Sequence, residues 1–473
     1  MLTEQIVGVL ELSSKYRYGL TSRGAPLYLF KPYDETRPDY IVGSTERDTT
    51  RNQIAVVDVP AIEDPTPGQK TRGNLLQLLG PVGNIVAERA GLLRHYCNYK
   101  HPMASSAPEP DPSDDENREP IDIANGWVTF HIDPAGCRDI DDAIAYHRES
   151  RTWAITIADA AAAVPVDSPI DITAENIGAT FYDDAGRVVK PMLPPVISEE
   201  QASLLPGQRR RGVTLFCGPD GSQRFGLTWI TVDHSFTYES FPKSVVAFDL
   251  DLSRDPHVWI ETLMIRYNAA VATRLKAAGC GLLRTQSAAD SAAVANWDAI
   301  DPSLRFLAAE AARYENVGMG QQGQGHATLG LAAYCHASSP LRRYADLTNQ
   351  RILKALLRPT STIVPAPAYS DLADHLNQRM KANRQWTRDL TFLTHVTPGR
   401  VHVIDVVWVS PTQVWVPAWK RILRIRHDPV DVPAPGTRAQ IEIFCDPTKR
   451  NWKQRILTAP ISDNSNPPPL AQD

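Results

Sequence analysis

The spacing of apolar positions changes along the chain, and each change predicts a different element. From Gln5 to Val59 apolar residues come in short runs, QIVGVLEL, RYGLTS, PLYLF, DYIVG and QIAVVDV, punctuated by Gly and Pro. That pattern predicts short strands in a small antiparallel barrel. Lys15, Tyr16, Arg17, Tyr18 and Tyr28 interleave with them. Exposed, such residues would stack single-stranded bases over a basic groove; packed, they would fill the barrel. A stretch at 71–84, TRGNLLQLLGPVGN, leads into a helical run ending near Asn98, and HPMASSAPEPDPSDDENREP (101–120) reads as a solvated, flexible linker. Trp127-Val128-Thr129-Phe130 reads as a strand, as does WAITIADAAAAV (153–164). RFGLTWITVDHSFTYES (224–240) reads as a strand and turn.

Helical spacing takes over at 257–279, where Ile260, Leu263, Met264, Ala270, Val271 and Leu275 recur and Gly279 can end the helix. A second helix is expected with Ser339 as its cap and Pro340 as its first residue. Leu341, Ala345, Ile352 and Leu356 would share one face, with Arg343, Lys354 and Arg358 opposite. DLADHLNQRMKANRQWTRDL (371–390) predicts an amphipathic basic helix. Beyond Thr397 strands return in RVHVIDVVWV, TQVWVPAW, QIEIFCD and WKQRILTA. There Trp408, Trp415 and Trp419 interleave with Lys420, Arg421, Arg424 and Arg426.

A chain of 473 residues has room for several domains. Its net charge of -5 carries no overall basic footprint, so any nucleic-acid surface must be local. The six cysteines are scattered with no C-x-x-C pair, which argues against zinc and a disulfide framework and suits a reducing compartment. No apolar run approaches the ~20 residues that span a bilayer, and the N-terminus has no basic-then-apolar signal. A cytoplasmic protein without a membrane partner is expected.

The candidate chemistry lies in HIDPAGCRDIDDA, directly after the Trp127–Phe130 strand. It places Asp133, Asp139, Asp141 and Asp142 on one short stretch. Like charges this close repel, and burying them uncompensated is costly. A divalent cation would relieve both. Oxygen donors favour magnesium, with manganese as a substitute, over zinc, and the spacing is not that of an EF-hand. The same carboxylates would also suit an acidic surface turn or a helix-capping cluster.

The string I-D-P followed by R-D-I-D-D-A resembles the signature of the ribonuclease II (RNB) catalytic domain. Further strings resemble the family in order: Tyr182 ahead of P-M-L-P, S-L-L-P-G at 203–207, the helix with Glu261 and Asn268, and SSPLRRYADL at 338–347. The resemblance implies an α+β, multidomain chain. An OB/cold-shock-like β-barrel would occupy 1–98 and a linker 99–119. A mixed α/β RNB catalytic domain would follow at 120–395, then a C-terminal OB-type RNA-binding barrel at 396–460 and a disordered tail at 461–473. It implies a processive, magnesium-dependent 3′→5′ exoribonuclease acting on single-stranded RNA and releasing nucleoside 5′-monophosphates. Asp133, Asp139, Asp141 and Asp142 would hold metal, with Asp141 also suited to orienting water. Arg342 would clamp the scissile phosphate from the first turn of its helix, or else pair with Asp346 as a surface arginine. Tyr182, Tyr238, Glu261, Arg284 and Arg343 would contact RNA. Asp159 and His336 are expected to be structural, and Arg209, Arg210 and Arg211 to touch phosphate or form a solvated basic turn.

The chain departs from the family pattern at Thr262 and Gln286, and it is shorter after Ser287. Two rival readings stay open: an RNA-binding scaffold that has lost activity, and a nuclease acting on DNA or short oligonucleotides.

Overall fold

The computed structural model describes residues 3–61, 70–102, 108–241, 255–317, 325–358, 368–396, 399–425, 433–446 and 456–460. The tail expected at 461–473 lies outside them, as does Arg426.

Strands β1 (Thr3–Leu10), β2 (Leu27–Pro32), β3 (Tyr40–Gly43), β4 (Gln53–Pro60) and β5 (Arg72–Pro81) close into a barrel of order β1-β2-β3-β5-β4. Leu10, Phe30, Tyr40, Val42, Ala55 and Val57 fill it. Gly8 is needed where β1 meets β2, since a Cβ there would sit 2.2 Å from the Lys31 carbonyl oxygen. RYGLTS is not a strand; it makes an isolated bridge between Leu20 and Pro26, and Tyr18 and Gly19 exchange backbone hydrogen bonds with Leu27. The fifth strand is the 72–81 stretch, whose antiparallel pairing with β4 closes the barrel. Tyr28 is buried in this core, whereas Tyr16 is 67% exposed. Helix α1 (Ile85–Tyr96) follows, its first turn capped by Asn84 Oδ1, which accepts from the Val86 and Ala87 amides.

The next part of the chain runs β6 (Glu119–Ile121), β7 (Trp127–Ile132), β8 (Asp142–His147), β9 (Thr152–Ala158), α2 (Ala160–Ala163), α3 (Pro169–Ile177), β10 (Phe181–Tyr182), β11 (Val188–Lys190), β12 (Arg209–Cys217), β13 (Gln223–Thr231) and β14 (His234–Phe236). Seven of these strands form one sheet, β14-β7-β8-β9-β12-β13-β6. Then come α4 (Pro256–Ala278), β15 (Leu282–Thr285), α5 (Ser291–Ile300), β16 (Arg313–Asn316), α6 (Tyr344–Leu356) and α7 (Ala368–His395). Alternate residues of the sheet, among them Phe130, Ile132, Ile144, Ile155, Val213 and Leu215, pack against Trp259, Tyr267, Val271 and Leu275 of α4 and Ile352 and Leu353 of α6. Helix α4 starts behind the Asp255 cap and ends on Gly279 at φ +66.

Strands β17 (Val401–Ser410), β18 (Gln413–Val416), β19 (Arg421–Arg424), β20 (Arg438–Cys445) and β21 (Ile456–Pro460) form a curled sheet, β19-β18-β17-β20-β21. Its edges approach where Thr458 Oγ1 donates to the Arg424 carbonyl at 3.1 Å, with no ladder joining them among the described residues. Trp408 is buried, Trp415 packs on Phe306 and Trp419 on Phe392, so these rings serve packing.

Four expectations need correction. Residues 112–119 are not a solvated tether. Asp114 is buried and pairs with Arg118 at 2.8 Å, with Lys354 at 3.0 Å and with Arg358. Arg118, fully buried, also reaches Asp159 at 2.5 Å. Lys354 therefore points inward rather than onto a solvated face. Arg210 is held by backbone carbonyls of Ser203 and Glu200, and Arg211 pairs with Asp115, so these residues do not form a solvated turn. Finally, α6 begins at Tyr344 rather than Pro340.

Candidate active site

Strand β7 ends at Ile132 and β8 begins at Asp142, and the hairpin between them carries the four aspartates. The hairpin is pinned from outside. Ser203 Oγ accepts from the Ile140 amide at 3.0 Å and donates to the Arg138 carbonyl at 2.6 Å. Asp133, at the end of β7, is met by His131 Nδ1 at 2.9 Å from its Oδ2. Cys137 Sγ lies 3.4 Å from Asp139 Oδ1. Asp141 is buried, and both its oxygens are engaged. The Leu341 amide donates to Oδ1 at 2.9 Å and Arg342 Nε donates to Oδ2 at 3.0 Å. Among the described residues neither oxygen of Asp142 has a hydrogen-bond donor.

These contacts explain where α6 starts. The amides that would open a helix at Pro340 are turned to carboxylates, Leu341 to Asp141 and Ser339 to Asp346 Oδ1 at 2.8 Å. The Ser339 carbonyl accepts from the Arg342 and Arg343 amides, closing one turn, and the chain is then extended at Arg343, which bridges Ala179 with the Thr180 amide donating to the Arg342 carbonyl and the Tyr344 amide to the Gly178 carbonyl. Arg342 thus lies on a turn ahead of the helix, with Nη2 on Ser339 Oγ at 3.0 Å. Its acid partner is Asp141. Asp346 instead takes Arg343, at 2.7 Å.

The electrostatics follow from burial. Burial lifts the Asp141 carboxyl to about 7, with Arg342 and the Leu341 amide pulling the other way. Asp142 is raised well above the ordinary carboxylate range by burial and by the charges of Asp133 and Asp141. Burial opposes the Arg342 charge, but Asp141, with Tyr182 and Asp346, holds the guanidinium above its usual value. The Tyr238 phenol is pushed up to about 12 by burial and by Asp142 and Asp133.

All four aspartates, Tyr182, Tyr238, Glu261, Arg342 and Arg343 line one cavity of about 840 Å³. Tyr182 is held through its carbonyl, which accepts from Trp386 Nε1 of α7 at 2.8 Å. The Tyr238 ring stacks on His257, centroids 3.8 Å apart. Arg284 is not brought into this cavity. It is buried beneath the sheet β15-β16, its guanidinium 4.9 Å from the Tyr314 ring centre. His336, half-buried and bonded to Tyr314 OH at 2.8 Å, is structural, as is Asp159 between Arg118 and Lys354.

Sequence reasoning gave no role to Ser203, Trp386, His131 or Asn268. Asn268 carried a signal, an amide on the apolar face of α4. It accepts from the Ala337 amide at 2.9 Å and donates to Tyr334 OH and Ser338 Oγ, fixing the turn that bears Arg342. Ser203 opens the S-L-L-P-G string, but that string does not show its partners, which are set only by the fold.

The donor set has the chemistry of a hard divalent ion: clustered carboxylates, one of them, Asp142, facing the cavity without a donor among the described residues. Among the described residues no three His, Cys, Asp or Glu side chains close into a set that could hold an ion.

The RNB domain model matches residues 122–247 and 240–359. Exoribonuclease 2 of Proteus mirabilis is 23% identical over 392 residues, 62% of this chain and 59% of that protein. The chain spans less than two thirds of the length of the first curated relatives it matches. RNase R of Mycoplasma genitalium, solved with double-stranded RNA, superposes with a TM-score of 0.70 at 16% identity, covering 97% of this chain and 95% of that one. Yeast Ssd1, described as a pseudonuclease, superposes with a TM-score of 0.68 at 17% identity over 93% of this chain and 67% of that one. These structures share the fold, including the OB-type barrels.

Proposed function

The chain belongs to the RNB domain family, and on that premise we propose that it is a metal-dependent 3′→5′ exoribonuclease that shortens single-stranded RNA to nucleoside 5′-monophosphates. The observation that carries the reading is the pairing of Arg342 with Asp141, which sets a guanidinium of the turn ahead of α6 against the aspartate hairpin inside a single cavity. The family's named relatives are exoribonucleases. The division of the chain near residues 98, 395 and 460 belongs to the same proposal, with 108–119 assigned to the catalytic body. So does a cytoplasmic location; among the described residues no helix is long and apolar enough to cross a membrane.

Asp133, Asp139 and Asp142 would hold a divalent ion, magnesium or manganese, with Asp141 the fourth carboxylate. When bound, such an ion lowers the pKa of a water and offsets charge on the phosphate. The chain's own residues do the rest. Asp141 aims the Arg342 guanidinium, which suits a phosphate oxygen as charge develops there. Tyr182 and Tyr238 bound the cavity with aromatic rings that suit a terminal base. Glu261 and Arg343 complete the wall.

The test is incubation of 5′-labelled RNA and matched DNA with magnesium, for wild type and Asp141→Asn. A ladder shrinking from the 3′ end of RNA, absent in the variant, is expected. RNA left intact by the wild type, yet still bound, would favour the second reading, an inactive RNA-binding scaffold. That reading draws on the Ssd1 fold and on carboxylates that do not close around a point.

A further inference from the structure

Helix α6 buries a stripe of polar side chains. Asp346, Gln350 and Lys354 recur at four-residue spacing, so they share one face of the helix, and all three are buried. Asp346 takes the Ser339 amide and Arg343, and Lys354 meets Asp114 and Asp159. Gln350 lies between them and carries no charge. Its Oε1 accepts from the Ala161 amide at 3.0 Å, and its Nε2 donates to the Ala158 carbonyl at 2.8 Å. One side-chain amide therefore spans the end of β9 and the first turn of α2. It can sit only one way round, because a flip would set donor against donor and acceptor against acceptor.

Ala158 is also the residue that holds the Asp141 main chain. Its amide donates to the Asp141 carbonyl at 2.8 Å, continuing the ladder in which Asp142 of β8 pairs with Ile157 of β9. On the other side, α6 follows directly on the turn that carries Leu341 and Arg342, and both of these close on the Asp141 carboxylate. The contacts form a ring. It runs from the Asp141 backbone to Ala158, from Ala158 to Gln350, along α6 back to Arg342, and from Arg342 to the Asp141 side chain. Gln350 does not line the aspartate cavity.

We infer that Gln350 is a positioning residue for the reaction: its two bonds fix α6 against the end of β9 and so set where Arg342 stands relative to the aspartate hairpin. The inference rests on the exoribonuclease reading above. An apolar side chain of similar size would fill the same space but give up both bonds, leaving the helix free to shift along the sheet. A shift of about 1 Å in a group that meets the reacting phosphate costs on the order of 100-fold in rate.

The experiment is a double-mutant cycle in the full-length protein, with wild type, Gln350→Met, Arg342→Gln and the double variant. Each is assayed for kcat and KM on labelled single-stranded RNA with magnesium, and kcat is corrected for the folded fraction seen by circular dichroism. Gln350→Met should lower kcat roughly ten- to hundredfold with KM little changed. The double variant should match Arg342→Gln to within about twofold, since with the guanidinium gone its placement no longer matters. Gln350→Asn keeps the amide but is one methylene short of spanning both partners. It should show the same pattern, and it takes the place of the methionine variant in the cycle should that one not fold. Unchanged kcat in the Gln350 variants, or losses that multiply with that of Arg342→Gln, overturns the inference and leaves the exoribonuclease reading intact. RNA left whole by the wild type overturns both.

Discussion

Arg342 Nε and Asp141 Oδ2 stand 3.0 Å apart across 201 positions of chain, and the neighbouring Leu341 amide closes on the other oxygen of the same carboxylate. The carboxylate therefore orients both the backbone turn and the guanidinium it carries. Asp141 is almost fully buried, while the Arg342 side chain is 42% exposed toward the cavity. One end of the pair is fixed and the other is available to a ligand.

Arg342→Lys should consequently behave as a loss rather than a conservative change. A lysine ammonium keeps the charge but not the fork that spans Asp141, Ser339 and a phosphate together. We expect kcat on single-stranded RNA to fall roughly 100- to 1,000-fold, the cost of removing one electrostatic donor. KM should change less. Single-turnover degradation of labelled RNA measures both.

The Trp386 indole holds the carbonyl of Tyr182 at 2.8 Å and packs edge-on against Phe181. Trp386→Phe keeps a ring there and removes the donor. A stability loss of about 1 kcal/mol is expected, by urea unfolding. Because Tyr182 bounds the cavity, KM for RNA should rise several-fold with little change in kcat. A kcat effect with constant KM would contradict the positioning role.

The sequence shows the parts of this site that are local. Trp127–Phe130 is a strand by its β-branched and aromatic residues, the aspartates follow on its hairpin, and α4 is legible from its apolar period and Gly279. What was not legible depends on distant partners. Asp114 and Arg118 sit in a Pro- and acid-rich stretch with the composition of a solvated tether, yet Lys354 meets Asp114 across 240 positions. Pro340 has the composition of a helix start, and the Ser339 carbonyl does take the Arg342 and Arg343 amides in one turn, but the bridge from Arg343 to Ala179 holds Arg343 extended and delays the helix to Tyr344. Tertiary hydrogen bonds outweighed local preference there. Arg284 shows the converse: the resemblance gave it a contact with RNA, whereas it packs buried against Tyr314, outside the aspartate cavity.

The buried network predicts an acid limb of stability. Burial works against the Asp159 charge, but Lys354 and Arg118 more than offset it and hold its carboxyl below the usual 3.8. A carboxyl depressed in the native state contributes stability above its unfolded value, and that contribution is lost as pH falls through the native value. Urea unfolding should therefore show wild type losing stability below about pH 4. Asp159→Asn should be less stable near neutrality by roughly 3–5 kcal/mol, since it strands buried cations. Its acid limb should be correspondingly shallower.

Asp142 should respond in the opposite sense. Its carboxylate has no donor among the described residues, and burial together with Asp133 and Asp141 makes its charge unfavourable. In metal-free protein Asp142→Asn removes that charge, so thermal unfolding near neutral pH should occur at the same temperature as wild type or higher. Magnesium supplies the missing counter-charge only where the carboxylate remains. Wild type should thus gain thermal stability as magnesium is added, by the linkage between binding and folding, and Asp142→Asn should gain little. Exonuclease activity should follow the same order, lost on chelation and restored by magnesium in wild type alone. An Asp142→Asn protein that unfolds earlier without metal, yet is stabilised by magnesium as fully as wild type, would show that this carboxylate serves the fold and not the ion.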